Sequence, residues 1–459
     1  MDERTRQLVA DDHRYVWHPF TQQQQWVTED ALVVERGEGC WLTTTDGRRF
    51  LDGNSSLWVD LWGHDRRELV DALHAQADAL PHATFLGLTN PPAIETARRL
   101  VDLAPDGISR AFFSENGSSA VEVALKIAFA YHRHLGDDRR DLFVCLDNAY
   151  HGDTLGSVSV GGFDPFHALY GPLLFETRRI PSPYCYRCPL ERSPEECDLA
   201  CADALDEVLA AEGHRVAAVV TEPLVQGAAG IITAPDGHLR RLREICDRHG
   251  VLLIVDEVAT GFGRTGATWA SELEGITPDL MAVGKALTGG YIPMSATLTT
   301  EAVYEAFLGA PDSGRTLYHG HSYAGNPLAA AVASANLELF VAEDVPAMAR
   351  AKAEVLADAL TAFDGQPHVG EVRRRGLMCG IELVADRGTK EPFPAGLQAA
   401  KRVCDAVRDD GIIVRPLGDT IVLMPAPAMS DEDLRFLVTT IAAATDRVTR
   451  ELAAPPASP

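Results

Sequence analysis

The sequence predicts an α/β fold, on three observations. Apolar runs of strand length recur at residues 111–114, 142–146, 216–220, 251–257 and 280–285. Residues 119–134, between the first two runs, carry apolar side chains at helical spacing instead. Two of the runs end on residues that can do chemistry, the fourth on Asp256-Glu257 and the fifth on Lys285. The carboxyl ends of neighbouring parallel strands open onto one crevice, so an acid and an amine at two such ends can face one ligand. Either residue alone is more often a solvated strand-end group; as a pair they read as a site.

Composition narrows the function classes. The 459 residues are 46% hydrophobic and 23% charged, ordinary for a globular chain with a large core. Sixty-six acids against 41 bases leave a net charge of -25, which argues against nucleic acid and anionic membranes as partners. The segment Met1-Asp2-Glu3-Arg4-Thr5-Arg6-Gln7 has no apolar leader, and no run reaches the roughly 18 apolar residues of a membrane span, so a cytoplasmic protein is expected. Five of the nine cysteines (Cys40, Cys145, Cys246, Cys379, Cys404) are scattered and read as core residues rather than a disulfide framework.

Along the chain, residues 39–53 form two short β-type runs around Asp46-Gly47, a hairpin signal. Gly117 and Ser118 lie where a strand passes into the 119–134 helix. Free backbone N–H groups there suit a phosphate, although a short Gly-Ser turn by itself is more often a plain cap. The 142–146 run leads into Tyr150-His151-Gly152, and the 216–220 run into Thr221-Glu222-Pro223-Leu224-Val225-Gln226-Gly227. Asp256 and Lys285 suit pyridoxal phosphate, which uses an amine to form its Schiff base and an acid to keep its pyridinium nitrogen protonated. No G-x-G-x-x-G follows an early strand, which speaks against a nicotinamide enzyme.

The text around the pair, Asp256-Glu257-Val258-Ala259-Thr260-Gly261-Phe262-Gly263-Arg264-Thr265-Gly266 and Gly284-Lys285-Ala286-Leu287-Thr288-Gly289-Gly290, resembles the class III (omega) aminotransferase family. The resemblance runs from about residue 17 to 425. It implies a fold-type I pyridoxal-phosphate transferase with a large doubly wound domain and a mainly parallel sheet at 76–335. A small α/β domain would come from both chain ends, 1–75 and 336–459. The implied activity is transamination between a small-molecule amino donor and a keto acceptor, in a homodimer with shared active sites.

Carried over residue by residue, the resemblance makes Lys285 the residue that binds the cofactor and moves the proton, and Asp256 the partner of the ring nitrogen. Tyr150 would stack on the ring, Gly117 and Ser118 would hold the phosphate, Glu222 would lie in the site, and Gln226 would bond the phenolic oxygen. The loop Tyr318-His319-Gly320-His321-Ser322-Tyr323 resembles the one by which one subunit reaches the other's cofactor phosphate, with Ser322 as donor and Gly320 beside the substrate. Trp17-His18-Pro19-Phe20-Thr21 and Ser55-Ser56-Leu57-Trp58 resemble the branch of the family that aminates 8-amino-7-oxononanoate in biotin synthesis, with S-adenosylmethionine or lysine as donor. That branch implies Phe20 and Trp58 as substrate contacts and Arg415 as the fork that binds the keto acid's carboxylate. Phe20 stands where a tyrosine is common, Leu57 where an aromatic is common, and His321-Ser322-Tyr323 depart from the branch's best-known loop. Another omega-aminotransferase, acting on taurine, a polyamine or a β-amino acid, is the alternative. A cofactor-binding regulator would call for a DNA-binding segment and a basic patch, neither of which the sequence contains.

Residues 182–203 read as an insertion. Cys185, Cys188, Cys197 and Cys201, spaced C-x2-C-x8-C-x3-C, predict a structural zinc or iron–sulfur centre, against the alternative of four reduced thiols. The Pro-rich tail from Ala453 to Pro459 is expected to be disordered.

Overall fold

Seven strands form the central sheet of the computed structural model, which describes residues 1–193 and 197–453. In spatial order they are Ile108–Ser114, Ser295–Thr300, Leu280–Val283, Leu252–Asp256, Val216–Thr221, Leu142–Leu146 and Thr177–Ile180. Ser295–Thr300 runs antiparallel to both neighbours and the other pairings are parallel, so the sheet is mixed but mainly parallel. Leu252–Asp256 is buried at every position, because helices cover both faces of the sheet and leave no solvent side for alternating polar residues.

One cover is the helix Gly117–His134, which packs Val121, Ala124 and Ile127 against Ile254, Leu280 and Ala282. On the other face Leu205, Leu209, Leu242 and Ile245 meet Val219, Leu253 and Val255. The Gly117–His134 helix starts on a real cap, Asn116 accepting the Ser119 N–H at 3.0 Å, and its last turn carries Arg133, whose charge complements the dipole, while burial lowers the pKa of His132 and His134 on either side.

The hairpin expected around Asp46-Gly47 is present, Trp41–Thr44 against Arg49–Asp52, with Gly47 at φ +83°. Leu51 and Asp52 then pair in parallel with Ile412 and Ile413, joining the two ends of the chain. An antiparallel sheet of Val369–Arg375, Met378–Leu383, Thr420–Leu423 and Arg415–Leu417 lies beside it. Cys40 and Leu51 share a core with Leu356, Ile381, Val403, Leu437 and Ile441.

One boundary differs from expectation. The 280–285 run ends as strand at Val283, and Lys285 opens a short turn at φ +44°, a left-handed value that turns its side chain out of the strand's alternation. Arg415 opens the strand Arg415–Leu417. Among the described residues no helix is long and apolar enough to cross a membrane. Ala453 closes the helix Asp431–Ala453, and the rest of the tail lies outside the described residues.

Candidate active site

The parallel register of Leu252–Asp256 on Leu280–Val283 pairs Asp256 with Ala282, so Asp256 and Lys285 leave adjacent strands at their carboxyl ends. Both line a cavity of about 520 Å³, together with Gly117, Ser118, Tyr150, Glu222 and Trp58. That volume suits a cofactor-sized ligand.

The N–H groups of Gly117 and Ser118 belong to the free first turn of the helix, where an anion is favoured. A Cβ on Gly117 would lie 2.6 Å from Val258 Cγ1, so only glycine permits this approach. The Ser118 hydroxyl meets Thr154 Oγ1 at 2.9 Å and accepts the Thr154 N–H at 3.0 Å, which ties the helix start to the loop bearing Tyr150.

Asp256 is 6% exposed and oriented from two sides, its Oδ2 at 2.8 Å from His151 Nδ1 and its Oδ1 accepting the Val258 N–H at 3.0 Å. Burial by itself would depress the His151 pKa; the bond to Asp256 and the charges of Asp256 and Glu222 raise it instead, favouring an imidazolium behind the carboxylate. Glu222 accepts from the backbone N–H groups of Tyr150 (3.0 Å) and Gly227 (2.8 Å), and burial pushes its carboxyl up to about 7. Lys285 is lowered below the ordinary lysine range, first by burial, with Asp256 and Glu222 opposing. Its Nζ stands 4.8 Å from the centroid of the Trp58 ring. The Tyr150 hydroxyl donates to Asp153 at 2.7 Å, and burial together with that carboxylate raises its pKa.

Other expected residues lie elsewhere. Gln226 is buried off the cavity with its amide engaged at both ends, Oε1 accepting from Ser182 and Nε2 donating to the Asp147 carbonyl at 2.9 Å. Phe20 and Arg415 line a second cavity of about 290 Å³, alongside Trp26, Lys401 and Arg408. Phe20 meets Phe166 in a tilted contact at 5.1 Å, and Phe166 meets the Tyr150 ring edge-on at 6.0 Å, so one aromatic chain connects the two cavities. Gly320 and Ser322 sit on an exposed loop outside the cavity of their own chain, though His321 of that loop pairs at 2.7 Å with Glu115 on the cavity wall. His151 and Asp153 are the residues the sequence reading left without a role. The Tyr150-His151-Gly152 motif and the acid one residue beyond it were the available signals.

The metal centre expected at Cys185, Cys188, Cys197 and Cys201 is not supported: among the described residues no three His, Cys, Asp or Glu side chains are grouped to hold a metal. Burial, with the neighbouring thiols, raises Cys185 and pushes Cys201 up to about 11. Side-chain bonds fasten the insertion to the rest of the fold. Tyr184 and Arg187 both donate to Glu382, Arg187 at 2.6 Å, and Lys390 donates to the Tyr186 carbonyl at 2.6 Å.

An anion-binding helix start, an aromatic wall, a buried acid and a buried amine of lowered pKa fit the phosphate, ring face, ring nitrogen and aldehyde of pyridoxal phosphate, and with the fold they define a pyridoxal-phosphate-dependent enzyme. The family described as aminotransferase class-III matches residues 22–445. The chain is 48% identical over 448 residues to an adenosylmethionine-8-amino-7-oxononanoate aminotransferase of Nitratidesulfovibrio vulgaris, covering 97% of this chain and 83% of that one. It is 47% identical to the protein of the same name from Geobacter sulfurreducens, covering 95% and 97%. The crystal structure of the Methanocaldococcus jannaschii protein of that name superposes with a TM-score of 0.91 at 39% identity, over 96% of this chain and 99% of that one. The chain belongs to the class III aminotransferases.

Proposed function

We propose that this transaminase aminates 8-amino-7-oxononanoate to 7,8-diaminononanoate, a step of biotin synthesis, with S-adenosylmethionine or lysine as donor. The observation that carries the reading is the near-full-length identity to proteins named for that reaction. The aromatic connection from Phe20 to Tyr150 supports it, because it offers an apolar path between the cofactor cavity and Arg415, as a long-chain keto acid needs.

Pyridoxal phosphate, when bound, supplies an electron sink for carbon–hydrogen bond cleavage. In this reading Lys285 holds it, and burial, which lowers the lysine's pKa, makes the amine easier to deprotonate for a part in proton transfer. Asp256, braced by His151, keeps the ring nitrogen protonated. Gly117 and Ser118 hold the phosphate, Tyr150 and Trp58 wall the cavity, and Arg415 pairs with the carboxylate of the acceptor. Ser322 completes the phosphate site of the other subunit. Its exposure supports this, as do the apolar side chains around its loop, Leu86, Leu88, Tyr318 and Tyr323, all at least 60% exposed. The setting is cytoplasmic.

The test mixes purified protein with 8-amino-7-oxononanoate and each donor and looks for the diamine. Borohydride reduction and peptide mapping should place the cofactor on Lys285. Turnover of taurine or a β-amino acid without formation of the diamine would overturn the substrate, and a label on another lysine would overturn the site.

A further inference from the structure

The segment that carries Trp58 into the cavity is held in a shape its residues do not favour. Ser55, Ser56 and Trp58 have φ of +49°, +59° and +66°. Ser56, with ψ of -87°, approaches the positive-φ γ-turn that residues other than glycine rarely adopt. Such a backbone persists only where its surroundings over-determine it.

The surroundings are polar and buried. Asp52 accepts the N–H groups of Asn54 (3.1 Å) and Ser56 (2.6 Å), and Ser55 Oγ donates to the Met424 carbonyl at 2.7 Å. Asp60, just past the turn, accepts the N–H groups of Trp62 (2.9 Å) and Gly63 (2.8 Å), while the buried Arg264 donates to the Asp60 carbonyl at 2.6 Å. The carboxylates of Asp52 and Asp60 thus stand on either side of the turn. His64 bridges them, Nε2 at 3.2 Å from Asp52 Oδ2 and Nδ1 at 3.7 Å from Asp60 Oδ2. A Cβ on Gly37 would come within 2.4 Å of His64 Cβ, so the Val34–Glu38 strand closes behind the ring.

We propose that His64 is a positioning residue for transamination: by bridging Asp52 and Asp60 it locks the Ser55–Trp58 turn, which sets the Trp58 ring against Lys285 and Leu57 in the cavity wall. The proposal rests on the reading of that cavity as the transamination site. A neutral imidazole can keep its hydrogen bond to Asp52, but the charge attraction to Asp60, which at 3.7 Å lies beyond hydrogen-bond reach, is lost with the proton. The hydrogen bond to Asp52 raises the His64 pKa, and the full bridge therefore holds below that raised value and loosens as pH climbs through it. Burial also raises Asp60, so the bridge titrates as a unit. The other groups facing it are Asp65, Arg264, Tyr291 and Cys40. Burial pushes Tyr291 and Cys40 up to about 12 each, and Arg264 remains a cation at about 10, so none of these three changes charge between pH 6 and pH 9.

Two readouts on the holoenzyme test this, one independent of turnover. Amide hydrogen exchange across residues 53–60 should be about tenfold faster in His64→Gln than in wild type at pH 7, the loss of roughly one charged hydrogen bond. In wild type the same amides should loosen from pH 6 to pH 9, and in His64→Gln they should show no such change beyond the intrinsic exchange rate. The Michaelis constant for 8-amino-7-oxononanoate should follow the exchange, rising about tenfold in the variant while cofactor content is retained. Ser56→Gly, which allows the same backbone shape without strain, should bring that constant back to within about threefold in the His64→Gln background. Exchange in His64→Gln that matches wild type, or that keeps the wild-type pH dependence, overturns the proposal. So does a fall in thermal stability with exchange at 53–60 unchanged. If His64→Gln does not fold, wild type decides by itself, since its 53–60 amides should loosen from pH 6 to pH 9 beyond the intrinsic exchange rate and the absence of that change overturns the lock. Wild type that fails to aminate the keto acid overturns the substrate reading, while the exchange result still decides the role of His64.

Discussion

Glu222 is a carboxyl group on the cavity wall, held by two backbone N–H groups. Its pKa of about 7 against an ordinary 4.5 means that the unfolded chain releases this proton first as pH rises. The folded state is therefore favoured below about pH 4.5 and progressively penalised up to about 7, by roughly 3 kcal/mol in all. Glu222→Gln should shift stability relative to wild type in the variant's favour by up to that amount between pH 4.5 and 7.5. Paired thermal melts across the range would show it, and a constant offset would mean that Glu222 ionises normally. Arg415 gives a second single-residue expectation. Removing its guanidinium deletes a charge-assisted contact worth roughly 1.5 to 3 kcal/mol, or about one to two decades in binding. Arg415→Ala should raise the Michaelis constant for the keto acid that much and leave the amino donor's nearly unmoved; equal effects on both would make it structural. At this scale Asp256 and Lys285 were readable because each ends a strand-length run. The part played by His151 was not, since its partner Asp256 lies 105 residues away and no spacing rule connects them.

Among the elements, the 182–203 insertion shows how little a spacing says about packing. Four cysteines close together in sequence resemble a ligand set, yet the fold fastens this loop to the Met378–Leu383 strand through Glu382. Glu382 is 5% exposed and also pairs with Arg373, so removing it takes a partner from Arg187, Arg373 and Tyr184, although Arg373 keeps Glu371 at 2.8 Å. Glu382→Ala should cost about 1–3 kcal/mol in denaturant unfolding, as losing hydrogen bonds to a charged group does. A chelator should leave that unfolding curve where it is. A chelator-sensitive curve with a tolerant Glu382 would reverse this account. The strands of the central sheet were far more legible, because burial on both faces forces continuous apolar runs that ordinary surface segments do not have.

For the whole molecule, the exposed loop bearing Ser322 and the apolar side chains around it predict a dimer whose cofactor sites need both chains. Ser322→Ala should weaken cofactor retention by about tenfold, roughly one hydrogen bond to a charged group, with the dimer intact by sedimentation. A fully active monomer would rule this out. The joining of the two chain ends at Leu51 and Asp52 against Ile412 and Ile413 bears on the same site, since Asp52 then anchors the turn that carries Trp58. A pairing between residues more than 350 positions apart leaves no local trace.

The sequence by itself determined the α/β class, the strands that end in Asp256 and Lys285, the helix start at Gly117 and, through the resemblance carried by those motifs, the transaminase family. These are local properties, a run, a period or a turn residue, and they survive without knowledge of what packs where. Only the tertiary structure decided that Gln226 spends its amide on Ser182 and Asp147, that the 182–203 insertion ties to Glu382, and that His64 stands between Asp52 and Asp60. Each of those outcomes depends on which side chain reaches a buried polar group first, and that is settled by contacts between segments distant in the chain.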